Sequence, residues 1–322
     1  MRKLILAGAI VVVVALLSGC GSPSAVLGPV QVVTAKAAAR FITVSADLPY
    51  GGYRVQLRSL SSGTVLGRLA RSGPAHPLAA TQETNGDVLV AETHGPCAAV
   101  LYRVDPATGG VTVVRHVDHA VSDLHVSPDG RSVAFLTYPT CDVGHGPQAE
   151  ALPSALAVVD LATGSTTITP SRTQLFAGVS WSPDSRRLVT SSTGTGALLI
   201  LDARTPRLAA AHVIGPPRGC GFSFPSWTAS GIIAAATCGR SGYLEKLTPA
   251  GQLLHRWKVP ACGLNGIQTI QDLPAASTLV STSSGPYHHC NGPMQETFSV
   301  LEPTGLHPVT AIIETGNTRY SF

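Results

Sequence analysis

The clearest information about the fold comes from Val179-Ser180-Trp181-Ser182-Pro183-Asp184 and from Leu188-Val189 just downstream. An apolar, aromatic segment leads into a Ser-Pro-Asp turn and a second apolar segment leads out, as in two antiparallel strands joined by a tight turn. Val126-Ser127-Pro128-Asp129-Gly130, followed by Val133-Ala134-Phe135, has the same form. Looser copies have turns at Asn85-Gly86-Asp87 and Thr228-Ala229-Ser230-Gly231, and 40–44 and 277–280 are the equivalent strands of the first and last copies.

A second series of turns lies at a regular offset from the first. Each copy has an apolar residue, a polar residue and then a turn rich in Pro, Thr and Gly. Six copies end at residues 63, 109, 164, 206, 251 and 305, so the repeat is 42 to 55 residues long. They are Leu60-Ser61-Ser62-Gly63, Val104-Asp105-Pro106-Ala107-Thr108-Gly109, Val159-Asp160-Leu161-Ala162-Thr163-Gly164, Leu201-Asp202-Ala203-Arg204-Thr205-Pro206, Leu247-Thr248-Pro249-Ala250-Gly251 and Leu301-Glu302-Pro303-Thr304-Gly305.

Two hairpins in each unit predict four short antiparallel strands, which form the blade of a β-propeller. We therefore expect an all-β fold, a six-bladed β-propeller of four-stranded antiparallel blades over residues 38–322, with seven blades as the alternative. The first copy begins with its second strand. Asn317-Thr318-Arg319-Tyr320-Ser321-Phe322 has the pattern of the missing first strand and would close the ring, and the alternative closing strand is 30–36.

The Ser-Pro-Asp-Gly turn, followed by a basic residue and an apolar strand, resembles the repeats of the TolB-like and WD-repeat propellers. The best matches are Val126–Gly130 and Val179–Asp184, and the resemblance extends from about residue 38 to the C-terminus. The Trp-Asp dipeptide of WD repeats is absent from the sequence, which favours the TolB-like group. TolB-like proteins serve as platforms for protein interaction, so the resemblance implies a binding propeller.

The N-terminus has the features of an export signal. Arg2 and Lys3 precede an apolar run, 4–17, that is shorter than the roughly 20 residues of a membrane span. Leu17-Ser18-Gly19-Cys20 resembles the lipobox of bacterial lipoproteins, which implies a fatty acid such as palmitate on a lipid-modified Cys20. We expect a signal peptide at 1–19, a lipidated Cys20 and tether at 20–37, and an anchor on the extracytoplasmic face of the cell membrane. The alternative is an ordinary secretory signal in which Cys20 is incidental.

Composition limits the partners and the source. Removing Arg2 and Lys3 from the 22 Lys and Arg residues leaves 20 basic residues against 18 Asp and Glu, so charge gives no reason to expect a nucleic-acid partner. Only 12% of residues are charged and 44% are apolar, which favours a folded chain, expected as a monomer. Abundant Ala, Gly, Pro and Arg with few Lys suit a GC-rich genome such as that of an actinobacterium.

Six cysteines remain after Cys20, and an even number in an exported chain favours disulfide bonds. The blade pattern places all six on one rim of the propeller, in loops between second and third strands or between blades. The simplest pairing is Cys220–Cys238, Cys262–Cys290 and Cys97–Cys141, and Cys238–Cys262 is a rival. The long loops 138–154 and 283–295 leave the same rim, so they are either a binding surface for an envelope protein or glycan, or loops protected against proteolysis. The disulfide candidates are Cys97, Cys141, Cys220, Cys238, Cys262 and Cys290.

No catalytic constellation stands out, so we expect no catalytic residue, metal or cofactor. His116, His119, Asp123 and His125 are the densest set of possible metal ligands, but they lie on an extended segment, where alternate side chains face opposite sides.

Whether the chain is an enzyme stays open. The sequence favours a non-catalytic binding scaffold, and the alternative is a propeller hydrolase or lactonase with a site in the central channel. The polar candidates on first strands are Glu83, Asp123, Asn265, Gln268 and Asp272.

Overall fold

A computed structural model describes residues 40–46, 52–73, 77–95, 97–137, 155–171, 175–239, 241–259, 267–273, 277–284 and 295–313. These residues form twenty-three β-strands and one short 3-10 turn, Leu208–Ala210. Within the described ranges, no helix is long and apolar enough to cross a membrane. The predicted all-β class is confirmed.

The strands form six sheets, the blades, which follow one another along the chain. Blade one has β1 (Arg40–Ala46), β2 (Tyr53–Ser59) and β3 (Val65–Ser72), and blade two has β4 (Leu78–Gln82), β5 (Val88–Thr93), β6 (Ala99–Val104) and β7 (Val111–Val117). Blade three has β8 (Ser122–Val126), β9 (Ser132–Thr137), β10 (Ala155–Asp160) and β11 (Thr166–Pro170), and blade four has β12 (Phe176–Trp181), β13 (Arg187–Ser192), β14 (Ala197–Asp202) and β15 (His212–Ile214). Blade five has β16 (Cys220–Thr228), β17 (Gly231–Cys238), β18 (Ser241–Leu247) and β19 (Leu253–Lys258), and blade six has β20 (Ile267–Leu273), β21 (Ser277–Ser284), β22 (Gln295–Glu302) and β23 (Gly305–Ile313).

Within each blade, every strand pairs antiparallel with the strand that follows it in the sequence. Among the described residues, blades two to six have four strands each and blade one has three. In blade one, β1 and β2 correspond to the second and third strands of the other blades. The sequence predicts this, since its first copy begins with a second strand. The predicted closing strand, 317–322, and its alternative, 30–36, lie outside the described residues.

Local hydrogen bonds explain why both turn motifs recur. In the first series, the Ser182 hydroxyl donates to Asp184 at 2.6 Å and accepts the Arg187 N–H at 2.8 Å, which fixes the turn before β13. In the second series, Asp160 accepts the N–H groups of Ala162 and Thr163 at 3.0 and 2.7 Å. Such side-chain to backbone bonds select Ser, Asp and Thr at turns.

The core lies between the blades and closes a ring of six. Six clusters of buried apolar side chains each join two neighbouring blades, from blades one and two through to blades five and six. The sixth cluster contains Phe41 of blade one and Leu273, Leu279 and Phe298 of blade six. The rings of Phe41 and Phe298 have centroids 5.5 Å apart. Since blade six packs on blade one, the propeller has six blades rather than the alternative seven.

Candidate functional site: the central channel

The first strands of the blades surround a central channel. β4, β8, β12, β16 and β20 are all edge strands of their sheets, and residues from each of them line one cavity of about 660 Å³. β1 lines it on the side of blade one. One end of the channel, here called the turn-side mouth, is where first and second strands connect. The other end is the cysteine rim, where second and third strands connect. A concave cavity of this size is in the usual range for a ligand site.

The register shifts in four inner strands of the channel wall: in β20 it shifts at Ile267/Thr269, and the bulges in the other three strands share one feature. The register shifts at Ser122/His125 in β8, at Ala177/Val179 in β12 and at Ser223/Ser226 in β16. Each of these three bulges contains a residue with positive φ, which is 48° at Asp123, 82° at Gly178 and 47° at Phe224. A bulge bends its strand and turns a side chain in a new direction. Residues other than glycine adopt positive φ at a cost that the surroundings must offset.

Contacts between blades hold these bulges. The Asp123 carboxylate accepts the Val179 N–H at 2.5 Å and lies 3.3 Å from His125 Nε2. The Trp181 indole N–H donates to the His125 carbonyl at 3.0 Å. The Ser180 hydroxyl accepts the Trp227 N–H at 2.9 Å, which links blade five to blade four. Blades three, four and five therefore form a continuous hydrogen-bonded wall.

The described lining of the cavity is acidic. It contains four carboxylates, one histidine and no Lys or Arg, in a chain where Lys and Arg outnumber Asp and Glu by 22 to 18. Three of the carboxylates have partners inside the protein. Glu83 receives a bidentate pair of bonds from Arg103 at 2.9 to 3.1 Å, Glu296 accepts the Ser281 hydroxyl, and Asp123 has the contacts given above.

Asp272 is the fourth carboxylate and differs from the other three. No hydrogen bond or ion pair with any described residue reaches it, and desolvation by the channel wall raises its pKa to about 6. The side chain is solvent-exposed and lines the cavity. A carboxylate of this kind is costly to ionise unless a cation comes close.

The first-strand candidates from the sequence are partly confirmed as channel residues. Glu83, Asp123 and Asp272 line the cavity. Asn265 lies outside the described residues, as does the side chain of Gln268. Glu296 was missed because it lies on a third strand, β22, and no local pattern indicates that its side chain reaches the cavity.

The possible metal ligands do not gather. His116 lies on the outer strand β7 of blade two, and His119 lies between that strand and β8, so only Asp123 and His125 come together. In the part of the chain that the structure describes, no three His, Cys, Asp or Glu side chains form a group that could hold a metal ion.

The cysteine rim carries the predicted disulfide Cys220–Cys238, with the Cα atoms 4.1 Å apart. Both residues lie in strand ends, directly opposite each other in β16 and β17, rather than in loops as the sequence suggested, because these two strands are longer than the pattern indicates. Cys97, between β5 and β6, is also disulfide-bonded, to a cysteine outside the described residues. Its pairing with Cys141 and the Cys262–Cys290 pairing stay predictions.

Comparisons with known proteins identify the fold. No protein-family model and no curated protein sequence matches the chain. The structure of TolB from Acinetobacter baumannii is similar, with a TM-score of 0.59 and 14% identity, over 84% of this chain and 63% of that one. The structure of a putative TolB from Agrobacterium tumefaciens has a TM-score of 0.57 and 11% identity, over 86% of this chain and 91% of that one. A structure from a study of two prolyl endopeptidases has a TM-score of 0.51 and 12% identity, over 90% of this chain but 51% of that one. At these identities the likeness shows fold alone, and that fold is a TolB-like six-bladed β-propeller.

Proposed function

We propose that this chain is a lipoprotein of the bacterial cell envelope, anchored through Cys20 on the extracytoplasmic face, and that it is a binding scaffold. The composition favours an actinobacterial source. The observation that carries the proposal is a disulfide-bonded rim on a TolB-like propeller, with Cys220–Cys238 and a further bond at Cys97. Disulfides persist in oxidising compartments, which supports export. The lipobox-like Leu17-Ser18-Gly19-Cys20 supports the anchor.

The cysteine rim is the proposed binding face. The long segments 138–154 and 285–294 follow the second strands β9 and β21, so both leave their blades at the end where Cys97 and Cys238 lie. Loops held on a rigid scaffold are where binding residues concentrate. The proposed partner is a protein or a glycan of the envelope, bound by a monomer.

Labelling with a palmitate analogue tests the anchor. In its native host the wild-type chain should incorporate the label and fractionate with membranes, whereas Cys20→Ser should do neither. The double variant Cys220→Ser/Cys238→Ser controls for loss of a thiol and should keep the label. Label on the Cys20→Ser chain, or membrane association that does not need Cys20, would contradict a lipid anchor at this position.

Crosslinking followed by affinity capture from the native envelope tests the binding face. Replacing 143–150 with a Gly/Ser segment of equal length should remove a specific partner. Replacing Ser61-Ser62 with Ala-Ala should keep it, because that turn joins third and fourth strands and lies at the opposite end of its blade. Equal capture by both variants would exclude the rim loop.

A propeller hydrolase with its site in the channel is the second candidate. One observation favours it, since a carboxyl with a pKa of about 6 is suited to proton transfer near neutral pH, and Asp272 in the channel has one. Turnover of a panel of ester and lactone substrates, lost in Asp272→Asn and kept in the surface variant Glu302→Gln, would support this function. No turnover of the panel would leave the binding scaffold as the better account.

A further inference from the structure

The turn-side mouth of the channel has a chemistry that the cysteine rim does not explain. β4 and β20 run toward this mouth, and Gln82 is the last residue of β4 while Asp272 is the last but one of β20. Both line the cavity, and each is six residues before its pairing partner on the next strand, with Gln82 opposite Val88 and Asp272 opposite Thr278. The two side chains therefore belong to the same level of the channel, on the blades that flank blade one.

The unpaired polar groups at this level are both acceptors. Asp272 receives no hydrogen bond from the described residues, and Gln82 buries its Oε1 without a donor. A buried acceptor without a donor weakens the fold, so its occurrence in a cavity wall indicates a missing donor. The cavity lining supplies no cationic donor, because its described residues include no Lys or Arg.

Apolar side chains make up much of the remaining cavity lining. Ile42 of β1, Leu78 of β4, and Ile270 and Leu273 of β20 line the cavity, with Leu78 at the end of β4 opposite to Gln82. Aromatic side chains such as Phe176 and Trp227 line the wall farther round the ring. Apolar walls favour the transfer of a hydrophobic body from water, and aromatic faces attract cations. The cavity of about 660 Å³ is large enough for a small organic molecule.

We propose that the turn-side mouth binds an organic ammonium ion, a primary or quaternary ammonium group on an apolar body, with the Asp272 carboxylate as its counter-ion. Gln82 adds a second acceptor. Glu83 is paired with Arg103 and Glu296 accepts the Ser281 hydroxyl, so neither is a direct partner. The site is independent of the lipid anchor and of the cysteine rim.

Isothermal titration of the purified full chain at neutral pH tests this site. The probes are 2-phenylethylamine, its trimethylammonium analogue and the neutral isostere 2-phenylethanol. The two cations should bind at least about tenfold more tightly than the alcohol, which corresponds to about 1.4 kcal/mol. Equal affinity for amine and alcohol, or binding of Ca²⁺ without binding of either ammonium probe, would overturn the proposal.

Variants locate the site. Asp272→Asn keeps the shape of the side chain and should remove the preference for the cation. Glu302→Gln makes the same charge change at the exposed end of β22 in blade six and should keep that preference. Gln82→Leu should weaken the binding of 2-phenylethylamine two- to fivefold, which provides a second test if the Asp272 variant folds poorly. Full cation preference in Asp272→Asn, in a chain with an unchanged circular dichroism spectrum, would overturn the assignment.

The ammonium group could come from a free amine or from a peptide of a partner protein. L-phenylalaninamide and a six-residue peptide that begins with phenylalanine separate these sources, and their N-acetylated forms are the controls. Binding of the amide but not of the peptide indicates a free small molecule, and binding of both indicates a peptide terminus. If the N-acetylated forms bind as well as the free amines, charge is not what the site recognises, and the proposal fails.

Discussion

At the scale of single residues, Asp272 is expected to weaken the fold. Its pKa is about 6 in the channel against an ordinary value of 3.8, so between these values the folded chain holds a proton that the unfolded chain has released. The free energy of unfolding therefore falls as pH rises from about 4 to 6, and the whole penalty is present at pH 7. After allowance for screening of a solvent-accessible group, we expect Asp272→Asn to stabilise the chain by about 1 kcal/mol at pH 7.

Urea unfolding at pH 4 and pH 7 checks this expectation, with Glu302→Gln as the control for net charge. The stabilisation by Asp272→Asn should nearly vanish at pH 4, where the folded wild type is already protonated at this position. An equal gain at both pH values would mean that the effect is not due to ionisation. A carboxylate kept at a cost in stability is typical of a functional site, and this agrees with a role as a counter-ion.

Gly178 is the residue on which the wall between blades four and five depends. Its φ is 82°, and a Cβ there would lie 2.7 Å from Phe224 Cα and 2.9 Å from Pro225 Cδ. Gly178→Ala combines backbone strain with a backbone clash, so we expect a loss of about 2–4 kcal/mol in the free energy of unfolding. Gly215→Ala is the matched control, because a Cβ at that position has no atom within 4 Å. Equal midpoints in urea for the two variants would show that the wall tolerates a side chain at Gly178.

At the scale of elements, the Cys220–Cys238 bond ties the first strand of blade five to the second. The two cysteines are 18 residues apart, and closing a loop of this size in the unfolded chain contributes about 3 kcal/mol. We expect the double variant Cys220→Ser/Cys238→Ser to lose about that amount in urea without reductant. Wild type in reductant should lose more, because the bond at Cys97 opens too. A double variant as stable as oxidised wild type would show that strand pairing alone holds this hairpin.

The elements were predictable where their bonds are local. The turns at Ser182 and Asp160 hold themselves with hydrogen bonds that span five residues or fewer, so a short motif is enough to predict them. The bulge at Asp123 was not predictable, since its carboxylate is held by the Val179 N–H, 56 residues away in the next blade. Cys220 and Cys238 were placed in loops because no local signal marks the extra length of β16 and β17.

At the scale of the whole molecule, the count of blades was predictable and the chemistry of the channel was only partly so. The six turn copies correspond to six sheets, because each repeat is one blade. The sequence also placed Glu83, Asp123 and Asp272 on inner strands. It did not indicate that Arg103 neutralises Glu83 while Asp272 has no such partner among the described residues, because side chains from different strands and blades meet only when the ring forms.

The contact between Phe41 and Phe298 closes this ring, and its loss should destabilise blades on the far side of the propeller. Phe298 is 4% exposed, and Phe298→Ala should cost about 3–5 kcal/mol. Trp181 and Trp227 lie in blades four and five, so their fluorescence reports on blades that do not contain the substitution. Trp257 of blade five donates its indole N–H to the Pro303 carbonyl of blade six, so it is replaced by Phe in all the chains compared.

If the ring unfolds as one unit, Phe298→Ala should lower the urea midpoint equally by tryptophan fluorescence and by far-ultraviolet circular dichroism, which samples all blades. Val213→Ala, at a side chain that is 56% exposed in blade four, should move neither midpoint by more than the equivalent of about 0.5 kcal/mol. A fluorescence midpoint that stays in place while the dichroism midpoint falls would mean that blades four and five unfold on their own. The junction of blades six and one would then be a local contact, and the blades would be stabilised in pairs rather than by closure of the ring.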